Sequence, residues 1–267
     1  MAKKERIQEM FDSIAPEYDA FNHLTSLGTD RNWRRKALRE VRGPRVLDEA
    51  CGTGDFSIAI ARHLARSSKQ PEMGFVGKTG VICRRMAGKA ESGRQNIGDL
   101  QTKEPWHVTG VDISEGMLEV MRRKVADAGL EGAVSATKGD CCALDFACES
   151  FDTVTVAFGV RNYENREGAL AEALRVLRPG GRFVMLELGI PQNRIIAWGF
   201  KFYFTRIMPL IGGRMSGNKD AYRYLPASVL AFPKPQEWVA TMQKAGFRDV
   251  KHRSLSLGIC NLFVGTK

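Results

Sequence analysis

The sequence predicts an α/β fold: a mainly parallel sheet with helices on both faces. Strand and helix patterns alternate from Val46 onward, the arrangement that builds a parallel sheet. The predicted strands are short and apolar, and Phe151–Phe158 (FDTVTVAF) is rich in β-branched residues. The first of them runs straight into a turn of small residues and then a helix, in the stretch VLDEACGTGD at 46–55. At 267 residues the chain has enough length for one such domain with a sizeable core. We read 1–267 as a single domain with a surface insertion at about 66–106.

Taken in order, Met1–Glu9 reads as a short charged start. Phe11, Ile14 and Tyr18 then fall at helical spacing, with Pro16 as a breaker, and Trp33–Val41 reads as a second helix. Together these form a helical cap on the sheet. Val46–Asp48 is the first strand and Phe56–Ala65 the helix after it. Residues 66–106 show little periodicity and hold eight Lys/Arg against four Asp/Glu. They stand where a short connection is the norm. A solvated loop is the favoured reading; a basic arm for headgroups or nucleic acid is the alternative. His107–Asp112 is the second strand, and Ser114 caps a helix running to about Ala128. Ala133–Lys138 and Phe151–Phe158 are strands, Gly168–Leu177 is a helix, Arg178–Gly181 a turn, and Arg182–Leu188 the fifth strand. The run 195–215 mixes large aromatics with Lys201, Arg206 and Arg214. It suits core, the wall of a greasy pocket, or a membrane surface with its basic residues at the headgroups. Pro235–Ala245 is a helix with Pro in its first turn, and Asp249–Leu257 and Ile259–Gly265 read as a closing antiparallel pair.

The 46–55 turn points to a ligand. Ala50, Cys51, Gly52, Thr53 and Gly54 let one approach the backbone closely, above the unpaired N–H groups of a helix start. A P-loop needs Lys-Ser/Thr after its last glycine, but Asp55-Phe56 follow here; a dinucleotide fingerprint needs a third small residue where Ser57 stands. Asp48 and Asp55 flank the loop and suit a cation better than a pyrophosphate. S-adenosylmethionine (SAM) carries a sulfonium and an ammonium and no phosphate. The D-x-A-x-G-T-G-D pattern resembles motif I of class I methyltransferases, in the form used by the UbiE/MenG quinone C-methyltransferases. The match extends to the N-terminal F-x-x-I-A-x-x-Y-D-x-x-N … S-x-G … W-R signature, to GVDISEGML, to FDTVTVAFGVRNYEN and to DAYRYLP. It covers 7–265 apart from the 66–106 stretch.

That resemblance implies a Rossmann-like class I methyltransferase fold with a C-terminal antiparallel hairpin. It implies SAM held by Asp48, Ala50, Gly52, Thr53, Gly54, Asp112, Ile113, Asp140, Cys141 and Ala157. Asp112, at the end of the second strand, takes the place of a ribose clamp once 66–106 is looped out, since a carboxylate accepts two hydroxyl protons. Asp140 and the Cys141 N–H suit the adenine edge. The implied reaction is methyl transfer to a ring carbon of demethylmenaquinol, a polyprenyl naphthoquinol. The benzoquinol of ubiquinone synthesis is the alternative, and an RNA substrate a more distant one. The candidates for the chemistry are Tyr18, Asp19, Arg161, Asn162 and Tyr222. Arg161 stays protonated, so it acts by charge on the quinol or by holding a water. The plainer structural reading pairs Arg161 with Asp19 and makes Tyr222 packing. Asp30 stands where many family members have His, which argues against a catalytic role there. Glu49 replaces a usual apolar residue, and is expected to meet the cofactor's amine end or to reach solvent.

Composition narrows the classes further. The net charge of +10 suits an anionic membrane or a polyanion. The Asn/Asp-Pro-Pro-Tyr/Phe motif of base N-methyltransferases is missing, so no nucleic-acid partner is expected. The six cysteines show no zinc spacing, so no metal is expected; they read as reduced thiols in a cytoplasmic protein with no signal peptide. No apolar run is long enough to cross a bilayer, which leaves peripheral contact with the inner face of a membrane as the membrane reading.

Overall fold

The computed structural model describes residues 3–19, 22, 26, 28–69, 106–207 and 219–267. Most of the 66–106 stretch therefore lies outside the described residues. Two N-terminal helices, α1 (Lys3–Ile14) and α2 (Thr29–Leu38), precede the first strand β1 (Arg45–Glu49). Then follow α3 (Asp55–Lys69), β2 (His107–Asp112), α4 (Glu115–Asp127), β3 (Val134–Lys138) and β4 (Phe151–Ala157). After a 3₁₀ turn at Val160–Asn162 come α5 (Arg166–Val176), β5 (Leu177–Leu188) and α6 (Arg194–Phe202), which tightens into a π turn at Tyr203–Ile207. The chain closes with α7 (Lys219–Leu230), α8 (Pro235–Lys244), β6 (Arg248–Leu255) and β7 (Cys260–Thr266).

The seven strands form one sheet in the order β3-β2-β1-β4-β5-β7-β6. The five through β5 are parallel; β7 runs antiparallel to both β5 and β6. The mainly parallel sheet with helices on both faces is thus as expected. The strand order, which spacing does not give, seats the last strand between β5 and β6. Strand alternation explains the two cores. Val46, Val184 and Leu186 face the α2, α3 and α4 side with Trp33, Phe56 and Leu118. Their neighbours Leu47, Phe183 and Met185 face the α5 and α8 side with Leu170 and Trp238.

Some boundaries differ from the sequence reading. The charged start is already helical from Lys3, and its apolar residue Ile7 is buried. The helix after β1 continues to Lys69, into the stretch read as insertion. The Arg178–Gly181 turn is a bulge within β5: Leu177 pairs with Phe151 and Arg182 with Thr153, so four residues loop out between them. The Ser114 cap is as read, its Oγ accepting from the Met117 N–H at 3.1 Å.

Candidate active site

At the carboxyl ends of β1, β2 and β4 the backbone turns sharply. Ala50, Gly52 and Gly54 have φ of 47°, 56° and 81°. Glycine is required at 54, where a Cβ would meet Met121 Cγ at 2.5 Å. Above the loop lies a cavity of about 320 Å³. Its wall brings together Ala50, Gly52, Asp112, Ile113, Asp140, Cys141, Ala157, Asn162 and Tyr18 from the sequence-derived candidates. Asp48 and Thr53 lie instead on a small pocket on the other side of the loop, and Gly54 lines neither. Asp48 supports the loop from below: it accepts hydrogen bonds from Ser57 Oγ at 2.5 Å and Thr155 Oγ1 at 2.7 Å. Burial pushes its pKa up to about 6 despite those bonds.

Asp112 closes the cavity opposite the glycines. One carboxylate oxygen accepts the Gly52 N–H at 2.9 Å, and the other accepts the Ser114 N–H at 2.9 Å. Each oxygen keeps a lone pair for a further donor. Burial raises its pKa, and the backbone donors oppose that shift. Asp140 is bonded by Lys4 Nζ at 2.6 Å and by the Cys142 N–H at 2.8 Å. Lys4 belongs to the segment read only as a charged start; a lone lysine on a short helix carried no signal of a partner 136 residues away.

A second cavity, of about 540 Å³, adjoins the first. Tyr18 and Phe158 line both and form the partition. Phe158 has φ 65°, a strained conformation for a bulky residue and of the kind found at functional sites. The second cavity is walled by Trp33, Leu188, Ile196, Phe200, Tyr203, Phe204, Leu225 and Ile259. Set in that apolar wall are Arg161, Arg34 and Asp30, the last being the one carboxylate among the described lining residues. Asp30, read as an unpromising position, is buried, and it accepts from Ser26 Oγ at 2.9 Å and Arg34 Nη1 at 2.5 Å.

Arg161 does not pair with Asp19. Its Nη1 donates to Glu187 Oε1 at 2.9 Å, and its backbone N–H donates to the other oxygen of Glu187 at 3.0 Å. Glu187 is fully buried and also accepts the Leu188 N–H at 2.9 Å. It sits at the end of a strand read as simple core, so nothing in its local pattern marked it. Asp19 instead accepts from Thr53 Oγ1 and from Lys124 Nζ, the latter at 2.6 Å, and lines neither cavity. Lys124 also bonds Asp55, and Asp55 lies 3.5 Å from Arg34 Nη1. A chain of alternating charges thus runs from the glycine loop to the second cavity. Tyr222 is carried by α7, and its side chain lies outside the described residues.

Glu49 reaches neither solvent nor the first cavity. It is 1% exposed; one oxygen accepts from Tyr163 Oη at 3.3 Å, and the other has no hydrogen-bond partner among the described residues. Burial raises its pKa well above the usual 4.5. The folded chain therefore holds a proton that the unfolded chain has lost, and stability falls as pH rises above about 4.5. Glu49→Gln removes this dependence. Thermal melts across pH are expected to show the variant matching the parent at or below pH 4.5 and melting higher at pH 8; equal melting at pH 8 refutes the assignment.

The described residues hold no group of His, Cys, Asp and Glu able to ligate a metal, and no helix among them is long and apolar enough to cross a membrane.

Comparison with known proteins shows the family. The model of the ubiE/COQ5 methyltransferase family matches residues 1–267. The Ubiquinone/menaquinone biosynthesis C-methyltransferase UbiE of Geobacter sulfurreducens is 41% identical, over 99% of this chain and 90% of that protein. The Demethylmenaquinone methyltransferase of Bacteroides fragilis is 38% identical, over 99% of this chain and 94% of that one. Among solved structures, a SAM-dependent methyltransferase from Thermotoga maritima superimposes with a TM-score of 0.60 at 16% identity, over 97% of this chain and 99% of that chain. The phosphoethanolamine N-methyltransferase 2 of Haemonchus contortus, in complex with S-adenosyl-L-methionine, gives 0.55 at 14% identity, over 88% and 52%. These two share the fold of this chain. By the match over its full length and by these relatives, the chain belongs to the ubiE/COQ5 methyltransferase family.

Proposed function

We propose that this chain methylates a ring carbon of demethylmenaquinol, with SAM in the glycine-loop cavity and the quinol in the apolar one. The observation that carries this reading is the pair of adjoining cavities, the second much the more apolar of the two. One is edged by glycines and carboxylates; the other is greasy, with one arginine pair and one carboxylate. The first suits a cationic nucleoside: it has an acid with spare lone pairs at the ribose position, a second acid for an adenine amine, and no phosphate-binding lysine after the loop. Asn162 Oδ1, buried without a partner among the described residues, is a further acceptor on the same wall. Bound there, SAM supplies an electrophilic methyl.

The protein's own work is then to place and activate the ring. The apolar wall excludes water and holds ring and prenyl tail. Arg161, fixed by Glu187, favours the quinolate by its charge. Asp30 accepts the hydroxyl proton, and loss of that proton pushes electron density onto the adjacent ring carbon. After that carbon takes the methyl it gives up its own hydrogen as a proton, and Asp30 returns the proton it holds to the oxygen, which restores the quinol. Tyr18 and Phe158, between the cavities, set the approach of ring to methyl. Arg34, whose Nη1 donates to Asp30 Oδ2 at 2.5 Å, holds that carboxylate in place in the wall.

The test is an anaerobic assay with SAM and chemically reduced, short-tailed demethylmenaquinone, following lipid mass and S-adenosylhomocysteine together. A methyl-mass gain on the quinol is expected. Asp112→Ala is expected to weaken SAM binding by about 10- to 100-fold, the worth of a charge-assisted hydrogen bond of roughly 1.5–3 kcal/mol. SAM binding with no methylated quinol overturns the substrate assignment. The printed name of the Geobacter relative covers both quinone pathways, and a competing short-tailed benzoquinol in the same assay separates the two rings.

A further inference from the structure

The described residues leave six large hydrophobic side chains exposed: Ile195, Trp198, Phe202, Ile207, Leu230 and Leu257. Scattered exposed hydrophobics need no explanation, but these are not scattered. Four lie on 194–207 and one on the 256–258 turn, and the neighbours of those residues, Ile196, Phe200, Phe204, Ser256 and Ile259, wall the apolar cavity. Ile195, Trp198 and Phe202 are spaced i, i+3, i+7 and share one face of α6. They are 81%, 72% and 53% exposed, so none of the described residues covers this face. The Trp198 and Phe202 rings stack on each other at 6.1 Å. Helix α6 is therefore apolar on two sides: one lines the cavity and the other meets water.

Charge selects the occupant. Arg194, Lys201 and Arg206 are exposed beside this face, and no Asp or Glu occurs from Gly189 to Ile207. Two copies of the chain joined here would set six cations against one another, whereas an anionic surface would neutralise them. Tryptophan beside Lys and Arg on an amphipathic helix is the composition of a segment lying in a bilayer interface. We propose that the exposed face of α6, with Leu257, docks this protein on the surface of an anionic phospholipid bilayer and sets the wall of the apolar cavity at the lipid. The docking rests on the quinol reading for its purpose, though not for its test.

The experiment is flotation of the full chain with vesicles of phosphatidylcholine, with and without phosphatidylglycerol. It is run for the parent and for the double variant Ile195→Asp, Trp198→Asp; neither residue lines a cavity. The parent is expected to float with the phosphatidylglycerol vesicles and to release as salt rises. The variant is expected to lose about tenfold or more in partitioning, as charges enter the apolar interface. It should keep SAM affinity and turnover of a short-tailed quinol in solution, and lose turnover of a long-tailed quinol held in vesicles. A parent that does not float, a variant that floats equally well, or a parent dimer that the variant splits overturns the proposal. If neither protein methylates the short-tailed quinol, the functional reading fails while flotation still decides the docking.

Discussion

Asp30→Asn is expected to leave SAM affinity and quinol KM close to those of the parent and to lower kcat by roughly 10²- to 10⁴-fold, the range of a lost general base. The substitution keeps shape, so the apolar wall and the Ser26 contact persist, but the amide takes up no proton. The sign with pH is informative. In the parent the protein accepts the hydroxyl proton; in the variant only quinol already ionised by solvent reacts, so residual kcat should climb with rising pH. Single-turnover kinetics across pH, under anaerobic conditions, check both points. Unchanged kcat would reduce Asp30 to a packing partner of Arg34 and return the search for a base to Tyr18 and a water on Arg161. Asp30 is a buried carboxylate, the one carboxylate among the described residues lining a largely apolar cavity, and Arg34 at 2.5 Å holds it there.

Glu187→Ala is expected to cost about 3–5 kcal/mol of stability, the penalty for leaving one member of a buried pair uncompensated. Arg161 is 5% exposed and Glu187 not at all, and Glu187 receives three hydrogen bonds from residues 161 and 188. For a chain of this size that corresponds to a fall in Tm of about 6–20 °C. The contrast is Glu167, whose contact with Lys244 is 3.9 Å long between side chains 74% and 81% exposed. Glu167→Ala should leave Tm unchanged, because water screens such a pair. Calorimetry of both variants tests the difference, and equal melting temperatures would show that the Arg161 side chain finds another partner. Since Arg161 lines the apolar cavity, Glu187→Ala is also expected to raise quinol KM in the fraction that stays folded.

The two variants meet in one picture of the site. Residues of both cavities are held by carboxylates whose partners lie elsewhere in the sequence: Asp112 bonds Gly52, and Glu187 bonds Arg161. Asp112 thus holds the loop at 50–54 directly, through Gly52, while Asp48 ties the end of β1 to Ser57 and Thr155 beside it. Of the loop's left-handed residues, Gly52 has its N–H held by Asp112 and Gly54 has its N–H held by the Cys51 carbonyl.

Local chemistry made much of this legible in the residues alone. The small-residue turn, the acid ending His107–Asp112, the Ser114 cap and the β-branched run at 151–157 each depend on neighbours within a few positions. Their elements follow from period, propensity and turn geometry, and the family resemblance supplies their places around the first cavity. The same patterns determined a mainly parallel sheet. Tertiary structure alone decided the rest. It placed β7 between β5 and β6, a choice that spacing leaves open because both hairpin orders use the same residues. It gave Arg161 to Glu187 rather than Asp19, since pairing follows which charges are buried together. It made 194–204 both cavity wall and exposed apolar face, where the sequence allowed core, pocket or membrane surface. And it turned Asp30, an unpromising position in the signature, into the carboxylate of the apolar cavity. The sequence determined which side chains carry charge and which are greasy; packing across long separations determined which of them meet, because burial and ion pairing depend on distance in space and not along the chain.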